Sequence, residues 1–260
     1  MRVLVWGAGA IGGTMDVAIR GDRASCLTMQ LGPRTWFLAV TRGFGTIDGL
    51  PIERALLARL RLECERRLRS ERFRRAVDRP HAAATAVLAA LTRVNGDIFS
   101  RTAGHDDYVT AASSLTAALI VRGRAYILHS GGTAAYLAHR GDVVSLSGDD
   151  TFDDTPTPLL ARALGTTPTL DVAVSSVTLD EGDVIVLVGR RVPGDVDRRA
   201  LIAHVESSDP AEHLLVARFE RDDADRDDDV RVVRRGFAIV PALARLVAAI
   251  GLVLAMVYAR

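Results

Sequence analysis

The sequence contains no lysine: all 33 basic residues among its 260 are arginine. That absence reads first as the coding bias of a GC-rich genome. Its chemical consequence is that every cation is a planar guanidinium, suited to carboxylates and phosphates. Cysteine is scarce as well. Cys26 and Cys64 stand far apart, which excludes a disulfide framework and a thiolate metal cluster and suits a reducing, cytosolic setting. Neither sign of charge is in excess. A formal net charge of +1 lacks the basic balance that general nucleic-acid affinity needs, so no nucleic-acid partner is expected. A signal peptide is not expected either, because only Arg2 precedes the first apolar run and Met1–Gly13 is broken by glycines.

What is present is enough apolar material for a full core, 48% of the chain, and a length that fits one large domain with an appendage. Gly7, Gly9 and Gly12 follow an apolar strand with dinucleotide-binding spacing, but the helix and acid-terminated second strand of a βαβ unit do not follow. A glycine-rich edge strand and turn is the expectation there. Thr35–Val40 is an apolar run of strand length, punctuated at once by Gly43 and Gly45, as when a buried strand feeds a site-forming loop. Pro51–Ser70 and His81–Thr92 have helical patterns and are expected to form an antiparallel pair covering a sheet. Short strands follow at Leu115–Val121, Arg124–His129, Ala134–Arg140 and Val143–Leu146, with turns at Gly123, Gly131-Gly132 and Gly141. A helix is expected over Pro158–Leu164, then strands at Asp171–Val177, Val184–Val188 and Leu214–Phe219. This order gives an α+β class with mainly antiparallel pairing.

The order of short motifs over Met15–Glu220 resembles the metal-dependent protein phosphatases, the PPM-type or type 2C serine/threonine phosphatases. Val40-Thr41-Arg42-Gly43-Phe44-Gly45 resembles the family's V-x-D-G-x-G loop, and Arg20-Gly21-Asp22 its N-E-D signature. Ala112-Ser113-Ser114-Leu115 stands at G-T-T-A, and Gly131–Leu137 at G-D-S-R-A-Y-L. Ser147-Gly148-Asp149-Asp150 is similar to T-x-D-H, Leu160–Gly165 to L-x-R-A-L-G, and Gly182–Leu187 to G-D-x-L-L-L. Gly189-Arg190-Arg191-Val192 stands at S-D-G-L and Asp209-Pro210 at D-N.

The resemblance implies an antiparallel β-sandwich flanked by helix pairs over residues 1–220. It also implies two divalent cations, held by aspartates and by the carbonyl of the first loop glycine, and a metal-bridging water that attacks phosphorus. Carried over position by position, Asp22, Gly43 and Asp209 remain, Asp149 is a weaker third-site candidate, and two aspartate positions have become Arg42 and Arg190. Guanidinium offers only donors, and a divalent ion about 4 Å from one would meet roughly 8 kcal/mol of repulsion at an effective dielectric near 20. No metal cofactor is therefore expected, or magnesium or manganese should a rearranged site persist. Arg42 and Arg190 are expected to pair with Asp22 and Asp209, so that removing either arginine strands a buried charge. Drifted, solvent-facing loops are the plainer alternative.

Residues 221–235 read as a charged linker, and 236–259 form an apolar stretch interrupted only by Arg245, long enough to span a bilayer. Arg231, Arg234 and Arg235 on its near side would keep the N-terminal domain cytoplasmic. An amphipathic helix on a cytoplasmic protein is the other possibility. The functional expectation is a pseudophosphatase: a membrane-tethered regulatory or binding module whose protein partner is a phosphoprotein or a kinase. The alternative is an active metal-dependent serine/threonine phosphatase built on Asp22, Asp149 and Asp209.

Overall fold

Strand alternation decides the layers of this protein. Its computed structural model describes residues 3–5, 14–20, 25–32, 34–77, 79–102, 110–148, 150–152, 159–192, 194–206 and 214–220. The chain opens with strands β1 (Val3–Val5), β2 (Thr14–Arg20), β3 (Cys26–Gly32), β4 (Thr35–Phe44), β5 (Thr46–Ile47) and β6 (Leu50–Pro51). Helices α1 (Ile52–Leu68), α2 (Glu71–Val77) and α3 (Pro80–Thr102) follow. Then come β7 (Ala112–Val121), β8 (Arg124–Ser130), β9 (Ala134–His139), β10 (Asp142–Ser145), β11 (Thr151–Phe152) and β12 (Leu159–Leu160). The last elements are β13 (Ala173–Thr178), β14 (Val184–Val188), α4 (Arg198–Glu206) and β15 (Leu214–Glu220).

Two antiparallel sheets result, ordered β1-β2-β15-β14-β9-β10 and β13-β8-β7-β4-β3. Along β4, Trp36, Leu38 and Val40 face the other sheet, where with Ala118 and Ile127 of their own sheet they form one core with Leu187, Leu215 and Ala217. The intervening Phe37 and Ala39 join Ile52, Leu56 and Leu60 of α1 and Leu91 of α3. Two faces with one residue of offset are what a period of two produces, and both are buried here, so β4 reads as a continuous apolar run. α4 covers the outer face of the first sheet through Leu201 against Tyr136, Val186 and Val188. Helices therefore flank a sandwich, as the family resemblance implied.

Several expectations need correction. Thr14–Arg20 and Cys26–Gly32 are strands, ahead of the strand expected from the sequence at Thr35–Val40. β1 is indeed an edge strand, antiparallel to β2, which is incompatible with the parallel start of a dinucleotide fold. α3 runs on to Thr102, ten residues past the expected end, because Val87, Leu91, Val94 and Ile98 continue one buried stripe. The helix expected over Pro158–Leu164 does not form. Leu159–Leu160 pair with Thr151–Phe152, and Leu164 exchanges backbone hydrogen bonds with Ser113. Those tertiary partners satisfy the backbone groups that a helix would have satisfied locally. Among the described residues no helix is long and apolar enough to cross a membrane; the linker at 221–235 and the stretch at 236–259 lie outside the described residues.

Leu38 has no solvent exposure between the sheets, whereas Leu62 on α1 is 64% exposed. Urea titration of Leu38→Ala should show a loss of about 2–5 kcal/mol from the cavity it opens. Leu62→Ala should stay within about 0.5 kcal/mol of the parent.

Candidate functional site

Strand register brings the family-like motifs to one end of the sandwich. Arg20, Leu214, Val188 and Ala134 form one row of the first sheet, through their successive pairings. Ser130, Leu115 and Thr41 form the matching row of the second. Only residues 131–133 separate β8 from β9, so the two rows are at the same end. Arg42 and Gly43 extend β4 at this end, opposite Ser114 and Ser113, and Arg190 lies just beyond the last residue of β14. The described residues flanking Asp22 and Asp209, namely Arg20, Ser25 and Leu214, lie at this end too. Asp22, Asp149 and Asp209 are themselves outside the described residues.

Arg42 has the parity of Trp36, Leu38 and Val40, so it continues their stripe from the core out to the mouth between the sheets. It is exposed, as is Arg190, and among the described residues neither guanidinium has an ion-pair partner. Neither guanidinium is therefore a buried charge, and the expected pairing with Asp22 and Asp209 falls on residues outside the described ones. Gly43 is where the chain passes closest to β7: a Cβ there would be 2.4 Å from the Ala112 carbonyl oxygen and 2.6 Å from Ile52 Cγ2. Its N–H donates to Glu53 Oε1 at 3.0 Å, which ties the loop to the first turn of α1.

Beneath the mouth is a buried polar layer that the sequence did not disclose. Thr116 and His129 are register partners on the inter-sheet face, with Thr116 Oγ1 2.9 Å from His129 Nδ1 and 2.7 Å from Thr133 Oγ1. His129 Nε2 lies 3.4 Å from Asp150 Oδ2. Asp150 also accepts from the Gly131 N–H at 3.0 Å and pairs with Arg162, which reaches on to Asp171 at 3.4 Å. Gly131 has φ of +93°, and a Cβ on it would be 2.3 Å from Ser114 Oγ, so the crossover requires glycine. Arg191 donates to the Ser147 carbonyl at 3.2 Å and to that of Gly148. Asp150 and Arg191 thus hold the chain on both sides of Asp149.

Two consecutive aspartates have the composition of a solvated loop, yet Asp150 is 4% exposed. Burial pushes its pKa up, but the hydrogen bonds from Arg162 and Gly131, with the charges of His129 and Arg162, bring it below the usual carboxylate value. Hydroxyl, imidazole and carboxylate in sequence suggest a nucleophile relay, but Thr116 has no exposure and no substrate can reach it. The network is a floor for the site.

No family model and no curated protein matches the sequence. Solved structures do. Mycobacterium tuberculosis serine/threonine phosphatase PstP/Ppp matches at a TM-score of 0.56 and 18% identity, over 79% of this chain and 99% of that one. The S. agalactiae serine/threonine phosphatase gives 0.59 and 14%, over 85% and 98%. PppA of Pseudomonas aeruginosa, described as a key regulatory component of T6SS, gives 0.59 and 15%, over 80% and 97%. This chain has the PPM-type serine/threonine phosphatase fold.

The comparison overturns the expectation of no metal cofactor: the PstP catalytic domain was solved in complex with 2 manganese ions at a TM-score of 0.54 to this chain. Whether the PPM-type site of this chain fits such ions depends on its donors. Positions 42 and 190 offer guanidinium N–H groups and no lone pair, so a centre drawing ligands from both does not fit. Among the described residues no three His, Cys, Asp or Glu side chains converge. Of the oxygen donors the resemblance implied, Gly43 is described, and Asp22, Asp149 and Asp209 lie outside the described residues.

Two outcomes follow for stability. Arg42→Ala and Arg190→Ala should each leave the melting temperature within about 2 °C of the parent, since both side chains are exposed. Asp150→Asn should cost about 2 kcal/mol at neutral pH by removing the charge that faces Arg162. Because the folded carboxylate titrates below the unfolded one, its contribution is full above about pH 4 and is lost as pH falls through the lower folded value. The gap between parent and Asp150→Asn should therefore close on acidification, as read by chemical denaturation across pH.

Proposed function

We propose that this protein is a regulatory phosphatase-fold module of impaired catalytic power, anchored in a membrane with its domain cytoplasmic, that binds a phosphorylated protein partner. One observation carries the reading: Arg42 and Arg190, both exposed at the mouth, stand where the resembling family has metal-ligating aspartates. A divalent ion bound by the remaining oxygens would supply charge on a phosphoryl oxygen and acidify a water. The chain's own contribution is different. Its two guanidiniums offer charge-assisted, potentially bidentate hydrogen bonds to a phosphate. Half-buried Arg191 holds Ser147 and Gly148, and buried Asp150 holds Gly131, beside them. Such a site favours retention of a phosphate over its turnover.

A second reading, an active manganese- or magnesium-dependent phosphatase on a rearranged set of Asp22, Asp149 and Asp209, draws support from the manganese in PstP. A phosphopeptide assay with added manganese separates the two. The regulatory reading expects tight binding that weakens roughly tenfold or more in Arg42→Ala or Arg190→Ala, with turnover near background. Manganese-dependent turnover abolished by Asp209→Ala would favour the active enzyme. For the anchor, the full chain should partition with membranes and need detergent for release; recovery in the soluble fraction counts against it.

A further inference from the structure

The helical layer carries a charge imbalance that the phosphate site leaves unused. From Pro51 to Pro80 the chain has ten arginines against five acids, a net +5, which leaves −4 for the rest of a +1 chain. Most of the acids there are engaged. Glu63, nearly buried, pairs with Arg66 and Arg67, both at 2.7 Å, and lies 3.8 Å from Arg93; Glu71 pairs with Arg75, and Glu53 holds Gly43. Arg61, Arg69, Arg72, Arg74 and Arg79 are exposed, and among the described residues their guanidiniums have no ion pair. Leu62, 64% exposed, shares an α1 face with Arg66 and the C-cap Arg69, and lines a groove with Arg59, Arg66 and Arg93 beside Glu63 and Asp97. Between α2 and the start of α3, a groove of about 480 Å³ is lined by Arg72, Arg75 and Arg79 with one acid, Glu71, over Ala76 and Ala82.

We propose that this outer face of α1 and α2 docks on an anionic lipid bilayer, its arginines against phosphate headgroups and Leu62 entering the interface. Among the described residues these five cations are spread along α1, α2 and the turns that flank α2, and only Arg72 and Arg79 share a groove, a layout that matches a charged plane better than a small ligand. Near such a surface each cation raises partitioning roughly fivefold, so a handful suffices without any enclosed pocket. An acidic protein would match the charge but gives no role to one exposed leucine among arginines. The proposal draws on the membrane reading above only for where the protein meets lipid; the face itself is argued from its own residues.

The test uses the full chain with Leu62→Cys carrying an environment-sensitive fluorophore. Cys26 and Cys64 are buried, and burial pushes the Cys64 thiol up to about 12, so the introduced thiol is the one that reacts. Vesicles of phosphatidylcholine alone are compared with equal parts phosphatidylcholine and phosphatidylglycerol. The expected result is a blue shift on the anionic vesicles alone, lost in high salt and lost in the triple variant Arg69→Glu, Arg72→Glu, Arg74→Glu. The same label at Val144, 51% exposed on the edge strand of the other sheet, should not shift. No shift at position 62, an equal shift on phosphatidylcholine, or an equal shift at position 144 overturns the proposal. So does a shift with polyglutamate in the absence of one with vesicles, which assigns the face to an acidic protein. A full chain that stays soluble defeats the anchor and leaves this test intact, because the label reports the face and not the tether.

Discussion

Three residues, Gly131 to Thr133, carry the chain from one sheet to the other, and the geometry of the site depends on that crossover being so short. With no slack between β8 and β9, the ends of both strands must lie together, and register transmits the position to every neighbour. Arg42 on β4, Ser114 on β7 and Arg190 after β14 are placed by pairing alone. The crossover is held by one buried carboxylate. Asp150 takes the Gly131 N–H and the Arg162 guanidinium, and the lack of a Cβ at Gly131 leaves room for Ser114 Oγ.

A buried ionised side chain is costly to desolvate unless its lone pairs are matched, and here they are. Arg162 comes from a segment that would otherwise be free to coil into a helix, so the ion pair also explains why Leu159–Leu164 is extended. The price of the polar floor is that its members are inert as catalysts: Thr116 and His129 lie too deep for any substrate. Chemistry is left to the exposed rim, where the two guanidiniums stand above a rigid base.

The molecule also separates its charges. Residues 51–80 carry ten arginines against five acids, while the 142–183 region has nine acids against the single Arg162. A balanced net charge therefore hides two stretches of opposite sign. Net charge alone speaks to general affinity for nucleic acid; it is silent about a local imbalance of this kind.

The sequence by itself determined the layers. The continuous apolar run of Thr35–Val40 and the successive turns after Leu115 follow from local physics, so they were legible without a structure. β2 and β3 were legible too, in Met15, Val17, Ile19 and in Leu27, Met29, Leu31, but the neighbouring glycines drew the reading toward loops. α4 had its signal in Asp197, whose carboxylate accepts the Ala200 N–H at 2.7 Å as a cap. Local motifs likewise marked Arg42 and Arg190 as substituted positions. Only tertiary structure decided that these arginines are exposed, that Asp150 is buried, and that Arg162 and Arg191 lock the loop around Asp149. Burial and pairing between residues so far apart along the chain depend on how the sheets face each other. No local pattern encodes that.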